Sequence, residues 1–149
     1  MKTKDAESIS NDMSWKEFEA FVESAFGAFG FATERNVRFR KPRAEIDLVC
    51  KREGLAFSID CKHWKRTVGH SLMLGISERQ LKRCSRLVER IGIARVIPLV
   101  VTLRDESLRI LENGVAVVPV HRLSDFILNW EASIDQLTVI ESHESQMTL

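Results

Sequence analysis

Two aspartates and a lysine near the middle of the chain are of the residue types that phosphate hydrolysis uses. Asp47 lies in the segment EIDLVC at 45–50, and Asp60 and Lys62 lie in FSIDCK at 57–62. Each segment alternates apolar and polar residues, which predicts a half-buried strand. The residues KREG at 51–54 predict a hairpin turn between them. Folding the chain about Glu53 then brings Asp47 close to Asp60.

Neighbouring carboxylates point to a bound cation. At a protein-like effective dielectric they repel by roughly a few kcal/mol, which a fold tolerates when a cation normally lies between them. The period of two puts Asp60 and Lys62 on one face of their strand. Two carboxylates with an adjacent lysine predict Mg²⁺-assisted attack on a phosphodiester.

A helix precedes these strands. Ser14 and Glu17 form an S-x-x-E capping box. The apolar stripe that follows at helical spacing predicts a face packed on the sheet; it consists of Trp15, Phe18, Val22, Phe26 and Phe29. Glu19 lies beside this stripe. Two interpretations fit Glu19, a boundary glutamate with its tip in water or a functional carboxylate.

The spacing of Asp47 and the Asp60-Cys61-Lys62 triplet resembles the PD-(D/E)XK nuclease signature. The wider context resembles Mrr-like restriction endonucleases and, more distantly, archaeal Holliday junction resolvases. These families also place a glutamate on the helix before the hairpin, where this chain has Glu19. The resemblance covers roughly residues 15 to 130. Ile46 stands where the motif's name has proline.

The resemblance implies roles for these residues. Asp47 and Asp60 would ligate Mg²⁺, for which Mn²⁺ can substitute, together with the backbone carbonyl of Cys61. Lys62 would position or activate the attacking water, and Glu19 would bind a second metal or orient a metal-bound water. Related nucleases often carry a glutamine on the following helix, which makes Gln80 a secondary candidate. A core-edge amide is the alternative for Gln80.

Positive charge is concentrated around these acids. Residues 34–96 hold sixteen Lys and Arg against seven Asp and Glu, a net charge of +9, so the rest of the chain carries −8 of the total +1. A basic zone around acids suits a polyanion, although a solvated surface also fits. The predicted nucleic-acid contacts are Arg35, Arg38, Arg40, Lys41, Arg43, Trp64, Lys65 and Arg66.

Two neighbouring side chains have competing interpretations. Trp64 fits stacking on a base and equally fits packing at a strand end. His63 has the chemistry of a general base, but a polar surface histidine beside a basic run is the more frequent case.

The length of 149 residues predicts one domain, at 13–138, between flexible segments at 1–12 and 139–149. The longest apolar stretch, 96–103, is too short to cross a bilayer. Three scattered cysteines predict free thiols and a cytoplasmic location.

The predicted order of elements is α-β-β-β-α-β-α-β-α, a mixed sheet with helices on both sides. The second helix spans 77–91, a strand at 95–102 bulges or lies near an edge at Pro98, a short helix spans 106–112, and Ser124 caps the last helix. This order is also that of restriction-endonuclease-like domains.

Together these observations predict a Mg²⁺-dependent DNA endonuclease, either restriction-like or selective for DNA structure. The chain has no obvious reader domain, so we expect recognition of structure or of a target supplied by a partner protein. Cutting both strands makes a homodimer plausible. The alternative is a module of the same fold that binds nucleic acid without cutting it.

Overall fold

The structure is a computed structural model that describes residues 13–64, 68–90, 92–104 and 107–142. Its helices are α1 (Trp15–Gly27), α2 (His70–Leu87) and α3 (Leu123–Asn129), with 3₁₀ turns at Val120–Arg122 and Trp130–Ser133. Its strands are β1 (Ala32–Phe39), β2 (Ala44–Arg52), β3 (Leu55–Lys62), β4 (Arg95–Thr102), β5 (Arg109–Ile110), β6 (Ala116–Pro119) and β7 (Ile140–Glu141).

The strands form one mixed sheet in the order β1-β2-β3-β4-β6-β5. β1, β2 and β3 are antiparallel neighbours, whereas β3, β4 and β6 are parallel. The turn between β2 and β3 has positive φ at both Glu53 and Gly54, as a two-residue hairpin turn requires. β7 lies within the segment 139–149 that was predicted to be a flexible tail, and it pairs with the first residues of β4.

Helices cover both faces of the sheet. Phe18, Val22 and Phe26 of α1 pack with residues of α3 on one face. On the other face, α2 packs against the sheet through Met73, Ile76, Cys84 and Leu87. The prediction of an α/β fold with a mixed sheet between helices is therefore confirmed.

The predicted helix at 106–112 is wrong. Residues Arg109–Ile110 form β5, which pairs antiparallel with β6. Gly114 has a φ of +82°, and its N–H bonds to the carbonyl of Leu111. Asn113 and Gly114 therefore form a hairpin turn, whereas the sequence analysis interpreted them as the end of a helix. Asp105 and Glu106 lie outside the described residues.

Two alternatives were predicted for Pro98, and the position near an edge is wrong because β4 lies between β3 and β6. A bulge is not seen on the side of β3 either, because the register of the two strands is continuous through Pro98. On the side away from β3, β7 pairs with Arg95 and Val96, and β6 pairs only from Leu99 onward. Pro98 falls in the gap between those partners, where its missing N–H costs no ladder bond.

Several boundaries differ from the predictions. β3 is buried along Leu55 to Cys61 rather than half-buried, because it is internal to the sheet and covered on both faces. α2 begins at His70, seven residues earlier than predicted, and Ile91 lies outside the described residues. The N-cap of α3 is Arg122, with no side-chain capping bond, so Ser124 is not the cap. Within the described residues, no helix has the length and apolarity to span a membrane.

Candidate active site

β2 changes faces at Asp47. Ile46 packs with the α2-side residues Val37 and Leu87, whereas Leu48, two positions later, packs with the α1-side core. Opposite this point on β1, Asn36 has a φ of +53°, and its neighbours Arg35 and Val37 pair with Leu48 and Ile46. The regular alternation of a strand is therefore broken at Asp47.

The break lets Asp47 bond to the next strand. The ladder of β2 with β3 runs from Arg52 and Leu55 to Leu48 and Ile59. One step further, Asp47 Oδ2 accepts the backbone N–H of Cys61 at 2.9 Å. The carboxylate thus replaces a backbone acceptor where the two strands separate.

Asp60 is a buried carboxylate between two cations. Lys62 Nζ lies 3.3 Å from its Oδ1, and Arg83 Nη1 from α2 lies 3.8 Å from its Oδ2. Side chains alternate along a strand, so Asp60 and Lys62 lie on one face of β3, as predicted. That face is the one covered by α2. Asp47 therefore meets Asp60 from the neighbouring strand.

Burial raises the pKa of Asp47 to about 6, and the charge of Asp60 adds to this rise. The N–H of Cys61 opposes it by stabilising the carboxylate. The two aspartates thus lie close enough for the charge of Asp60 to disfavour ionisation of Asp47.

Glu19 reaches the same place from α1. Its side chain is 7% exposed, so the interpretation as a boundary residue with its tip in water is wrong. Its Oε2 has no hydrogen-bond partner among the described residues. Burial raises the pKa of Glu19, against the charge of nearby Arg35. Ligand atoms of Glu19, Asp47 and Cys61 all lie within 4.8 Å of one another.

An open cleft of about 310 Å³ gives access to this group. It is lined by Trp15, Glu45, Asp47, Asp60, Cys61, Lys62, His63, Trp64 and Arg83. Trp15, Glu45 and Arg83 were not predicted as site residues, and His63 was left with two interpretations. Glu45 is two residues from Asp47 in the same strand, and Arg83 is one helical turn after Gln80. The regular repeats of strand and helix could therefore have predicted both. Trp15 was assigned to the buried stripe and is instead exposed.

Gln80 lies behind the cleft and does not line it. It is fully buried, and its Nε2 donates to the carbonyl oxygen of Ser58 at 2.6 Å. Its Oε1 accepts from Arg83 Nη1 at 3.3 Å. Gln80 therefore ties α2 to β3 and holds the guanidinium that faces Asp60.

His63 is anchored to the start of α1. Its Nε2 lies 2.5 Å from the carbonyl oxygen of Met13 and its ring edge packs on Phe18. A carbonyl can only accept, so Nε2 carries the proton. This contact gives His63 a role in the fold beside its place in the cleft wall.

The predicted basic run lies mostly beside a second cleft of about 440 Å³, which shares Glu45 with the first. Its lining includes Arg38, Arg40, Lys41 and Arg43. Arg38 lies 3.6 Å from Glu45. Arg35 is separate, because it makes a two-point ion pair with Glu23 at 3.0 and 3.2 Å. Lys65 and Arg66 lie outside the described residues.

The part of the chain that holds these carboxylates and the lysine is similar to a known family. The Mrr_cat family model, described as a restriction endonuclease, matches residues 10–75. That match contains Glu19, Asp47, Asp60 and Lys62. Residues 10–75 are similar to this restriction endonuclease family.

Two relatives extend the comparison. An uncharacterized protein of Archaeoglobus fulgidus is 36% identical over 120 residues, which is 78% of this chain and 92% of that protein. The crystal structure of a protein of unknown function, AF1548, is 26% identical with a TM-score of 0.43. That match covers 56% of this chain and less than half, 44%, of the solved chain.

The described residues fit a hard divalent cation. Glu19 Oε2 is a buried carboxylate oxygen without a hydrogen-bond partner, and Asp47 is a carboxyl whose pKa is raised towards neutrality. A cation between them would offset both costs. The Cys61 thiol is different, since burial raises its pKa well above the usual value and it stays protonated.

Proposed function

We propose that this domain is a divalent-metal-dependent DNA endonuclease that hydrolyses phosphodiester bonds. The observation that supports it best is that Asp47, Asp60 and Lys62 line one open cleft, with the buried carboxylate of Glu19 beside Asp47. Glu19 comes from α1, Asp47 from β2, and Asp60 and Lys62 from β3. Two of the three carboxylates carry an electrostatic cost that a bound cation would remove.

In this mechanism Asp47, Asp60 and Glu19 would hold Mg²⁺, or Mn²⁺ in its place, with the backbone carbonyl of Cys61 as a further ligand. The ion would supply positive charge for the phosphate and acidify the attacking water. The Asp47 side chain is already oriented by the N–H of Cys61. This hydrogen bond leaves Oδ1 of Asp47 for a metal.

Two cations stabilise charge on the phosphate in this proposal. Lys62, whose side chain is 28% exposed, lines the same cleft as Asp60, and we assign it the orientation of the attacking water. Arg83 presents a second positive charge, and Gln80 acts through it as a positioning residue. Fixed charges aimed at a developing anion are a large source of rate enhancement. We assign His63 a place in the cleft wall, where its Nε2–H is bonded to the carbonyl oxygen of Met13.

The DNA backbone follows the two clefts that meet at Glu45. Trp64 contacts the substrate in the first, and Arg38, Arg40, Lys41 and Arg43 contact phosphates along the second. Cleavage of both strands is achieved by two copies, and a partner protein supplies any extended sequence recognition. Sedimentation of the protein with and without DNA tests the homodimer.

A plasmid cleavage assay tests the enzyme. We expect nicking or linearisation with Mg²⁺ or Mn²⁺ and none with EDTA. Asp60→Asn and Lys62→Met should each lower the rate by roughly 10²-fold or more, and the matched surface variant Asp135→Asn should not. DNA binding without cleavage in either metal would instead support the alternative of a module that binds and does not cut.

A further inference from the structure

Two tryptophans approach the first cleft from opposite sides of the sheet. Trp15 is the first residue of α1, on the face covered by α1 and α3. Trp64 follows β3 and packs beside Met73 and Ile76, on the face covered by α2. Both line the cleft that contains Asp47 and Asp60. The carboxylates thus lie between two indole side chains.

The position of Trp15 is not explained by packing. Phe18, Val22 and Phe26 on the same helix are fully buried, whereas Trp15 is 43% exposed. One exposed apolar side chain is ordinary on a protein surface. Two indoles at the wall of one cleft that also holds buried carboxylates indicate a ligand with flat apolar faces.

Trp64 is oriented by Lys62. The ammonium of Lys62 lies 5.5 Å from the centroid of the Trp64 ring and 3.3 Å from Asp60. A cation at this distance from a ring is drawn to its face. The Lys62 ammonium is therefore held between Asp60 and the Trp64 ring, beside the place where the phosphate is proposed to react.

The second cleft has a different character. It has several cations but one aromatic ring, Phe39, and the guanidinium groups of Arg86 and Arg90 cover that ring at 4.7 and 4.6 Å from its centroid. Phe39 thus has two guanidinium groups on its ring, whereas Trp64 has one ammonium at the longer distance of 5.5 Å. This cleft suits the phosphate backbone alone, and the two clefts divide backbone contact from base contact.

We propose that Trp15 and Trp64 stack on unpaired bases, so that the domain selects DNA in which nucleotides next to the cleaved phosphate have left the duplex. Bases in a duplex are covered on both faces by their neighbours, and stacking on a side chain requires a base that is splayed out. The inference rests on the proposed function, which places DNA in this cleft. The basic cleft then holds the adjoining paired backbone.

Binding without metal tests the proposal. A blunt duplex and the same duplex with a single-stranded extension are titrated in EDTA and followed by fluorescence anisotropy of a DNA label. We expect tighter binding of the extended DNA. Trp15→Leu should weaken that binding about tenfold, in the range typical of one stacked base, and Trp15→Phe should restore it. Both variants should bind the blunt duplex alike, and the exposed-residue control Leu128→Ala should change neither.

Intrinsic fluorescence gives a second readout. The chain has three tryptophans, and Trp130 is buried in the core, so quenching by DNA reports Trp15 and Trp64. Extended DNA should quench the emission and blunt duplex should not, with a smaller change in Trp15→Phe.

Equal binding of the two DNAs, equal behaviour of Trp15→Leu and Trp15→Phe, or a preference for RNA of the same sequence would overturn this inference. Failure of the nuclease assignment has a different signature. If the protein shows the stacking effects but never cleaves DNA, the proposed base site stands and the proposed nuclease activity is wrong. A protein that cleaves duplex plasmid while both tryptophans prove irrelevant retains the enzyme and loses the base site.

Discussion

Asp47 makes metal-free stability depend on pH. Its pKa is raised to about 6 from an ordinary value of 3.8, mainly by burial. Between those values the folded state binds more protons than the unfolded state, so stability falls as pH rises from about 4 to about 6. Asp47→Asn keeps an acceptor for Cys61 and removes the titration. We expect the variant to gain stability relative to wild type across this window, measured by urea unfolding in EDTA. A constant difference would contradict the assignment of the shift to Asp47.

Arg83 should act on the rate more than on binding. Its guanidinium lies 3.8 Å from Asp60 and 3.3 Å from Gln80. Arg83→Gln removes the charge, and we expect a loss of about tenfold or more in kcat with little change in KM. Arg83→Lys should recover part of kcat. Single-turnover cleavage distinguishes this from a binding defect, which would appear as a raised KM alone.

For single residues, the sequence was informative where the regular repeat of a strand or helix sets the face on which a side chain lies. The alternation of β3 was enough to pair Asp60 with Lys62, and helical spacing was enough to bury Phe18 and Gln80. It was not enough for Trp15, because position in an apolar stripe does not say whether a sheet is present to cover the first turn. Nor did it show that Arg35 would be paired with Glu23, twelve residues away.

The turn between β5 and β6 is bonded to α2 and to the segment that precedes β7. Asn113 Nδ2 donates to Ser77 Oγ of α2 at 2.7 Å, and the carbonyl oxygen of Gly114 accepts the N–H of Thr138 at 2.9 Å. Gly114 has a φ of +82°, and a Cβ there would lie 2.8 Å from the backbone nitrogen of Thr138. The position therefore excludes a side chain for two separate reasons.

Gly114→Ala is expected to be strongly destabilising. Left-handed φ alone costs about 1–2 kcal/mol for a non-glycine residue, and the backbone clash adds to that. Gly92→Ala is the matched control, since Gly92 has a φ of +86° with nothing within 4 Å of its added Cβ. Urea unfolding should show the larger loss for Gly114→Ala. Equal losses would mean that the segment around Thr138 moves aside without cost.

Helices and strands were predicted well where many consecutive residues show the same pattern. The strand Arg95–Thr102 was assigned at its observed bounds because its apolar run is bounded by polar residues. The segment around β5 failed because two paired residues leave almost no periodic signal, and because Asn-Gly serves both helix ends and hairpins. The face change at Asp47 depends on the backbone of Asn36 in another strand, which no local pattern in β2 encodes.

Charge is divided across the whole molecule. Residues 34–96 carry +9 and the remainder −8. Arg86 of α2 and Arg90, three residues beyond its end, donate to the carbonyl oxygens of Arg40 and Arg38 at 2.9 Å. The hairpin between β1 and β2 is therefore held against this end of the helix with its basic side chains outward. This gives one extended positive surface that adjoins the first cleft.

Salt dependence measures that surface. We expect Arg40→Ala and Lys41→Ala each to reduce the slope of log K against log salt by about one unit or less, equally for unrelated DNA sequences. Arg122→Ala lies in the acidic part of the chain beside Asp125 and should leave the slope unchanged. An unchanged slope in the hairpin variants would show that this surface faces away from DNA.

Cys61 introduces discrimination between hard and soft metals. Its thiol lies with Glu19 and Asp47 in a group spanning 4.8 Å, and its high pKa keeps it from binding a hard ion. Zn²⁺ and Cd²⁺ bind thiolate strongly enough to displace the proton. We expect either ion to inhibit Mg²⁺-dependent cleavage at low concentration, with relief in Cys61→Ala but not in the buried control Cys84→Ala. One sulfur atom thereby makes the same cleft responsive to the balance of metals around it.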